Sequence, residues 1–153
     1  MRNARIRVPW GVLCTVVVMG LLATVVVMAA PWQGLQTETK IEIDVAKPES
    51  AVPLDLEPSA FTFEPVKVTV HRSKNTAKIS LRVKFRNSSD RDYLMYGTAN
   101  LLDADGKLLA TKSKTEEADD DDNQVVTFRF RLPHAEADRV KACGFKFAFE
   151  QGG

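Results

Sequence analysis

Residues 78–86 read KISLRVKFR, and this strict alternation of apolar and polar residues decides the fold of the chain. Successive side chains of a β-strand point to opposite faces of a sheet, so a period of two predicts a half-buried strand. The inward positions are Ile79, Leu81, Val83 and Phe85. The outward positions are Lys78, Ser80, Arg82, Lys84 and Arg86. The sequence therefore places four cations on the solvent side of its best-defined strand.

Shorter runs of the same kind extend over residues 61–150 and predict an all-β domain there. The expected strands are the run containing Val66, Val68 and Val70, then Tyr93–Leu102, Leu108–Lys112, Gln124–Leu132 and Val140–Glu150. We expect a bulge or bend at Gly97 and one helical turn over Pro133–Asp138. Six or seven short strands without a helical period predict an antiparallel, immunoglobulin-like β-sandwich.

A later strand extends the pattern of outward cations. Val126, Phe128, Phe130 and Leu132 share the inward parity of that strand, which leaves Arg129 and Arg131 outward. If the two strands lie in one sheet, the six cations Lys78, Arg82, Lys84, Arg86, Arg129 and Arg131 form one patch. We interpret such a patch first as an ordinary solvated face, because outward strand positions often carry Lys or Arg. The alternative hypothesis is an anion-binding face for lipid headgroups, a surface polyanion or the acidic loop of a neighbouring copy.

The segment Thr115–Asn123 is strongly acidic, with Glu116, Glu117 and the run Asp119–Asp122. Clustered carboxylates are hard oxygen ligands that could gather a divalent cation. The preceding residues 103–106 lack a calcium-loop pattern, because the glycine is at the fourth position instead of the sixth. We expect a solvated, mobile loop over residues 116–122 whose charge opposes pairing between sheet edges.

Residues 33–60 are polar and punctuated by prolines, which excludes a helix and a central strand. Gln33–Glu38 is expected to be a spacer. The run Lys40–Val45 alternates and is compatible with a first strand. We expect the rest to be extended, either wrapping an edge or forming a stalk.

Residues 8–30 contain no charged side chain, and the basic flank over residues 1–7 carries three arginines. A helix of this length spans about 34 Å, slightly more than the ~30 Å hydrocarbon core of a bilayer. Trp10 and Trp32 lie near its two ends, where indole rings favour the membrane interface. The sequence predicts one transmembrane signal-anchor helix over residues 8–32, with the amino terminus cytoplasmic and the β domain extracytoplasmic.

A cleaved signal peptide is the alternative interpretation of this stretch. Val27-Met28-Ala29 would be an acceptable cleavage site, and the product would be a secreted, soluble structural or stress-related β-sandwich. The apolar run, however, is longer than the ~7 to 15 residues usual for a signal core. We therefore expect a retained anchor in the cell membrane.

The rest of the composition narrows the class of protein. Beyond the apolar run, 18 basic residues accompany 20 acidic ones, so bulk attraction to nucleic acid is not indicated. Cys14 falls in the apolar run and Cys143 in a predicted strand, so we expect no disulfide and a buried Cys143. Neither His71 nor His134 is near a cysteine nucleophile, and their spacing is not that of metal ligands. We expect surface positions for both. We expect no enzyme activity, no cofactor and no metal site.

The order of residues around one turn resembles a known family. The strand end Phe85-Arg86-Asn87-Ser88-Ser89 is followed by Asn100-Leu101-Leu102-Asp103-Ala104-Asp105-Gly106-Lys107, with Leu102 where the family has tyrosine. This pattern resembles the FxLYD-type extracytoplasmic immunoglobulin-like domains and is similar to the late-embryogenesis-abundant sandwich, over about Phe61 to Phe149. The resemblance implies a membrane-tethered or secreted binding module and supplies no site residues. The function we expect is a membrane-anchored binding or assembly module, with a protein or an anionic surface as partner.

Overall fold

Nine β-strands and one helical turn make up the part of the chain that the computed structural model describes, residues 35–54, 56 and 60–151. The predicted anchor over residues 8–32, including Trp10 and Trp32, lies outside the described residues. Within the described ranges, no helix has the length and apolar character needed to cross a membrane.

The strands form two antiparallel sheets. In chain order they are β1 (Leu35–Glu42), β2 (Glu49–Val52), β3 (Phe61–Phe63), β4 (Val66–Arg72), β5 (Thr76–Asn87), β6 (Tyr93–Leu102), β7 (Leu108–Ala118), β8 (Asn123–Pro133) and, after the helical turn α1 (His134–Ala137), β9 (Ala142–Gln151). The first sheet has the order β1-β9-β6-β7. In the second sheet, β2 pairs with β4, β4 and β3 pair with successive parts of one edge of β5, and β8 pairs with its other edge.

The central strand β5 confirms the alternation that its sequence predicts. Its inward residues Ile79, Leu81 and Val83 are fully buried, and Phe85 is 1% exposed. Strand β8 pairs with it over eleven positions, from Thr76↔Pro133 to Arg86↔Asn123. Because both long edges are paired, the side-chain direction of β5 is fixed along its whole length.

Phenylalanine side chains join the two sheets into one core. Phe61 of the second sheet stacks on Phe149 of the first with ring centroids 3.6 Å apart. Phe63 and Phe147 have centroids 5.1 Å apart, and Phe128 packs 6.0 Å from Phe145 across the same space. The shared aromatic core makes the fold a sandwich-like all-β fold, as the sequence predicts.

The folded unit begins earlier than Phe61. Strand β1 starts at Leu35, inside the predicted spacer Gln33–Glu38, and pairs with β9 along its whole length. Ile41, Ile43 and Val45 are buried in the common core. Strand β2 also lies in the Pro-punctuated segment and pairs with β4. Short edge strands gain their hydrogen bonds from the backbone of a neighbour, so their own side-chain pattern is a weak signal.

Strand β7 is longer than the sequence predicts. It continues past Lys112 to Ala118, so Glu116 and Glu117 are strand residues opposite Met95 and Leu94. The acidic loop therefore comprises only Asp119–Asp122. Exposed positions on an edge strand tolerate charge, which is why the acidic composition did not end the strand.

The interruption of β6 also differs from the prediction. The register shift lies between Leu101 and Leu102, and Gly97 is in regular register with Lys114 and Phe147. Gly97 instead gives room to the core. A Cβ built at this position would lie 3.0 Å from Phe128 Cζ, 3.1 Å from Met95 Sδ and 3.3 Å from Phe147 Cε1.

We expect Gly97→Ala to destabilise the fold by about 1–3 kcal/mol, because the added methyl group overpacks three core side chains. Urea unfolding followed by circular dichroism measures this change. Gly144→Ala is the matched control, since the nearest atom to its Cβ is Leu102 Cδ1 at 3.9 Å. Equal stability of the two variants would contradict this account of Gly97.

Asp103 closes the turn between β6 and β7 from a buried position. Its Oδ1 accepts from the amide N–H of Asp105 at 3.0 Å and of Lys107 at 2.9 Å, and its Oδ2 accepts from Arg139 at 2.8 Å. The Lys107 amide and then the Arg139 side chain hold the pKa of Asp103 below its ordinary value of 3.8. Gly106 completes the turn with a φ of 78°.

The lowered pKa predicts an acid-sensitive contribution to stability. A carboxyl whose folded pKa is depressed stabilises the fold above its unfolded pKa and loses that contribution as the pH falls through the folded value. We therefore expect Asp103→Asn to lower the melting temperature near neutral pH, with a deficit that shrinks below about pH 4. Asp105→Asn is the control, because the Asp105 carboxylate is exposed. A deficit independent of pH would contradict the ionic account.

Candidate anion-binding face

Strands β5 and β8 are neighbours, so the six predicted cations lie on one face of the second sheet. Lys78 is directly opposite Arg131, and Arg129 is opposite Ser80. Strand β4 adds Lys67, which is opposite Arg82. We name the outward surface of β4, β5 and β8 the basic face; its cations are Lys67, Lys78, Arg82, Lys84, Arg86, Arg129 and Arg131.

Three cations of the basic face have carboxylate partners. Arg86 contacts Asp121 at 2.6 Å, Lys84 contacts Glu64 at 2.6 Å, and Lys67 contacts Glu49 at 2.7 Å. All three pairs are solvent-exposed, and such pairs contribute about 1 kcal/mol or less. Lys78, Arg82, Arg129 and Arg131 form no ion pair with any of the residues that the structure describes.

Like charges meet directly across two strand pairs of this face. Lys67 is the cross-strand neighbour of Arg82, and Lys78 is that of Arg131. Like charges directly opposite each other are unfavourable in a sheet. Their summed field attracts anions to the outer surface of the sheet.

A shallow depression of about 390 Å³ lies within the basic face. Its lining forms two cross-strand rows, Lys67–Arg82–Thr127 and Thr69–Ser80–Arg129, with Val125 at the border. Thr69, Ser80 and Thr127 contribute short hydroxyl side chains to this lining, and Lys67, Arg82 and Arg129 contribute long cationic ones. The depression therefore combines positive charge with hydroxyl donors.

The sequence missed Lys67 and the three hydroxyl residues of the depression. Alternation of Val66, Val68 and Val70 already predicts that Lys67 and Thr69 point outward. Their place beside Arg82 and Ser80 depends on which strands are neighbours. That information comes from the sheet topology.

The two histidines have different surroundings. His71 is exposed on β4 opposite Lys78, as expected for a surface residue. His134 is half-buried: its Nε2 lies 2.8 Å from the carbonyl oxygen of Ser73, and its Nδ1 lies 3.3 Å from Arg72. Arg72 also contacts Asp138 at 2.7 Å. His134 thus ties α1 to the turn between β4 and β5, a structural role that its sequence context did not indicate.

Cys143 is fully buried, as expected from its strand position. Burial raises the pKa of its thiol to about 12, so the thiolate form is scarce at neutral pH.

Asn87 is also fully buried. Its side-chain amide donates to the carbonyl oxygens of Arg91 and Ala118, and its oxygen accepts from Ser89. Asn87 therefore holds the chain together where β5 ends.

The acidic loop Asp119–Asp122 is tied to its neighbours by single contacts. Asp121 adopts a φ of 53° and pairs with Arg86, while Asp92 accepts the amide N–H of Asp120. Over residues 35–54, 56 and 60–151, no three His, Cys, Asp or Glu residues are grouped so that they could hold a metal ion.

Comparisons with known proteins give distant likenesses of fold. No family model and no curated protein matches the chain. Similar solved structures include a β-glucuronidase from glycoside hydrolase family 2, with a TM-score of 0.41, 17% identity and coverage of 44% of this chain and 7% of that one. A structure of the infectious bursal disease virus Gx strain has a TM-score of 0.41 and 10% identity, and the match covers 80% of this chain and 29% of that one. Envelope protein VP37 from White Spot Syndrome Virus has a TM-score of 0.40 and 15% identity, and the match covers 77% of this chain and 98% of that one.

The chain spans 7% to 29% of the length of the first four similar structures. With TM-scores of 0.41, these likenesses carry no conclusion about activity, ligand or location.

Replacing Asp119–Asp122 with asparagine is expected to leave the fold intact and to change stability little, since exposed charges contribute about 1 kcal/mol or less apiece. Thermal unfolding with and without calcium measures both points. Replacing Glu38, Glu42, Asp44 and Glu150 with their amides, which removes four exposed carboxylates outside the loop, is the charge-matched control. A calcium-dependent rise in melting temperature that only the loop variant loses would show a cation site instead of a solvated loop.

Proposed function

We propose that the chain is a single-pass, membrane-anchored protein whose extracytoplasmic, immunoglobulin-like β-sandwich acts as a non-catalytic binding or assembly module. The basic face is its binding surface, and the ligand is anionic. One observation carries this proposal: four cations, Lys78, Arg82, Arg129 and Arg131, share a sheet face without carboxylate partners among the described residues. The anchor, with the amino terminus on the cytoplasmic side, is proposed from the uncharged run over residues 8–30.

The charge distribution supports an anionic partner over an apolar one. The domain has slightly more acidic than basic residues, so the basic face is a local concentration of positive charge. Its hydroxyl and guanidinium groups can donate hydrogen bonds to the oxygens of an anion. The larger exposed apolar side chains of the described residues are isolated: Tyr96, Leu108 and Val125. Binding through exposed charge weakens with salt, because the screening length falls to about 8 Å near physiological ionic strength.

We expect the variant with Arg82, Arg129 and Arg131 all replaced by serine to elute from a polyanionic resin at lower salt than the wild type. The full-length chain in a zwitterionic detergent is used for this measurement. A variant with Lys40, Lys112 and Lys146 replaced by serine removes the same charge from the first sheet and should elute close to the wild type. Far-ultraviolet circular dichroism checks that both variants keep the fold. Identical elution of the two variants would contradict a binding role for the basic face.

A secreted, soluble β-sandwich released by cleavage after Ala29 is the second candidate. The acceptable cleavage site Val27-Met28-Ala29 favours it. Amino-terminal sequencing of the mature protein decides between the two: a chain that begins at Ala30 would remove the anchor from the proposal. The basic face is the same in both cases.

A further inference from the structure

We infer that the depression on the basic face is a subsite for one tetrahedral oxyanion, a phosphate monoester or a sulfate, which Arg82, Arg129 and Lys67 bind together with the hydroxyls of Thr69, Ser80 and Thr127. This inference rests on the proposed anion-binding function and names the chemical group that binds. The lining residues and their cross-strand register carry it.

The array has the dimensions of a single anionic group. Neighbouring strands are about 4.8 Å apart, and residues on the same face of a strand are about 6.8 Å apart. Three strands and two rows therefore span about 10 Å by 7 Å. The side chains of Arg82, Arg129 and Lys67 are long enough to reach an anion at the centre of this area.

The arrangement of donors favours a tetrahedral anion over a carboxylate. Lys67 belongs to β4, Arg82 to β5 and Arg129 to β8, and each of these strands also carries one of the three hydroxyl residues. A guanidinium presents a planar fork of N–H donors that fits phosphate bidentately, and each hydroxyl can donate one further bond. A phosphate monoester offers three oxygens in different directions, whereas a carboxylate offers two oxygens in one plane.

These donors are also available. Arg82, Arg129 and the hydroxyls of Thr69, Ser80 and Thr127 make no side-chain hydrogen bond or ion pair with the residues that the structure describes. Lys67 is shared with Glu49 at 2.7 Å. An anion at the centre would also relieve the repulsion between Lys67 and Arg82, which are directly opposite each other.

The test is a titration of the full-length chain, in a zwitterionic detergent, with inorganic phosphate, sulfate and acetate at constant ionic strength. Amide chemical shifts from nuclear magnetic resonance follow the binding. We expect saturable shifts at Ser80, Arg82, Thr127 and Arg129 with phosphate and sulfate, and at least about tenfold weaker binding of acetate. Equal binding of acetate and phosphate would overturn the inference in favour of general charge attraction.

Two variants separate the subsite from charge alone. Arg82→Lys keeps the charge but loses the planar fork, so it should weaken phosphate binding at least about tenfold and leave elution from the polyanionic resin nearly unchanged. Arg91→Lys is the matched control, because it makes the same replacement outside the basic face, where Arg91 contacts Asp90 and Gln151. Phosphate affinity that is unchanged in Arg82→Lys, or lost equally in Arg91→Lys, would overturn the inference.

Vesicles distinguish the sources of the oxyanion and separate the two proposals. Retention on phosphatidic acid vesicles that free phosphate reverses would assign the group to a lipid headgroup. Saturable phosphate binding without retention on vesicles or polyanionic resin would support the subsite and contradict the surface-binding function. Retention on the resin without saturable phosphate or sulfate binding would overturn the subsite alone.

Self-association that depends on Asp119–Asp122 and on Arg129, without phosphate binding, would assign the face to a second copy and overturn the subsite.

Discussion

The structure depends on the alternation of β5 between two paired neighbours. Its four large inward side chains are buried with an exposure of 1% or less, and each contributes about 1.5–3 kcal/mol of gross burial. A shift of one residue would expose all four and turn Lys78, Arg82, Lys84 and Arg86 into the core. Burying an unpaired charge costs more than burial of an apolar side chain gains. The register that protects the core is therefore the same constraint that displays the cations.

The aromatic core holds the two sheets together. Phe61, Phe63 and Phe128 from the second sheet pack against Phe145, Phe147 and Phe149 from the first. Gly97 belongs to this arrangement, since its missing side chain leaves the space that Phe128 and Phe147 occupy. Close packing of this kind fixes the relative position of the sheets. The free energy that burial in the core contributes exceeds the cost of the like-charge pairs on the outer surface of the second sheet.

The charges along β5 are graded from one end to the other. At the end where the strand meets the acidic loop, Asp121 and Glu64 accompany Arg86 and Lys84. Toward the other end, Lys78 and Arg131 face each other, and the depression lies between these two regions. The four cations that have no carboxylate partner among the described residues, Lys78, Arg82, Arg129 and Arg131, therefore lie in the middle and far part of the face.

The sequence by itself determined the strands β4, β5, β6, β8 and β9 and the first part of β7, together with their inward residues, the outward direction of six cations and the burial of Cys143. A period of two assigns every side chain of a strand to a face. Only the tertiary structure decided which strands are neighbours. It placed β8 and β4 on opposite edges of β5, which brought Lys67, Arg82 and Arg129 and the three hydroxyl residues into the lining of one depression. It also showed that β1, β2, β3 and the acidic half of β7 are strands, since edge strands draw their order from backbone pairing with distant residues. Alternation is a local property of the chain, whereas strand order arises from contacts between residues far apart in sequence.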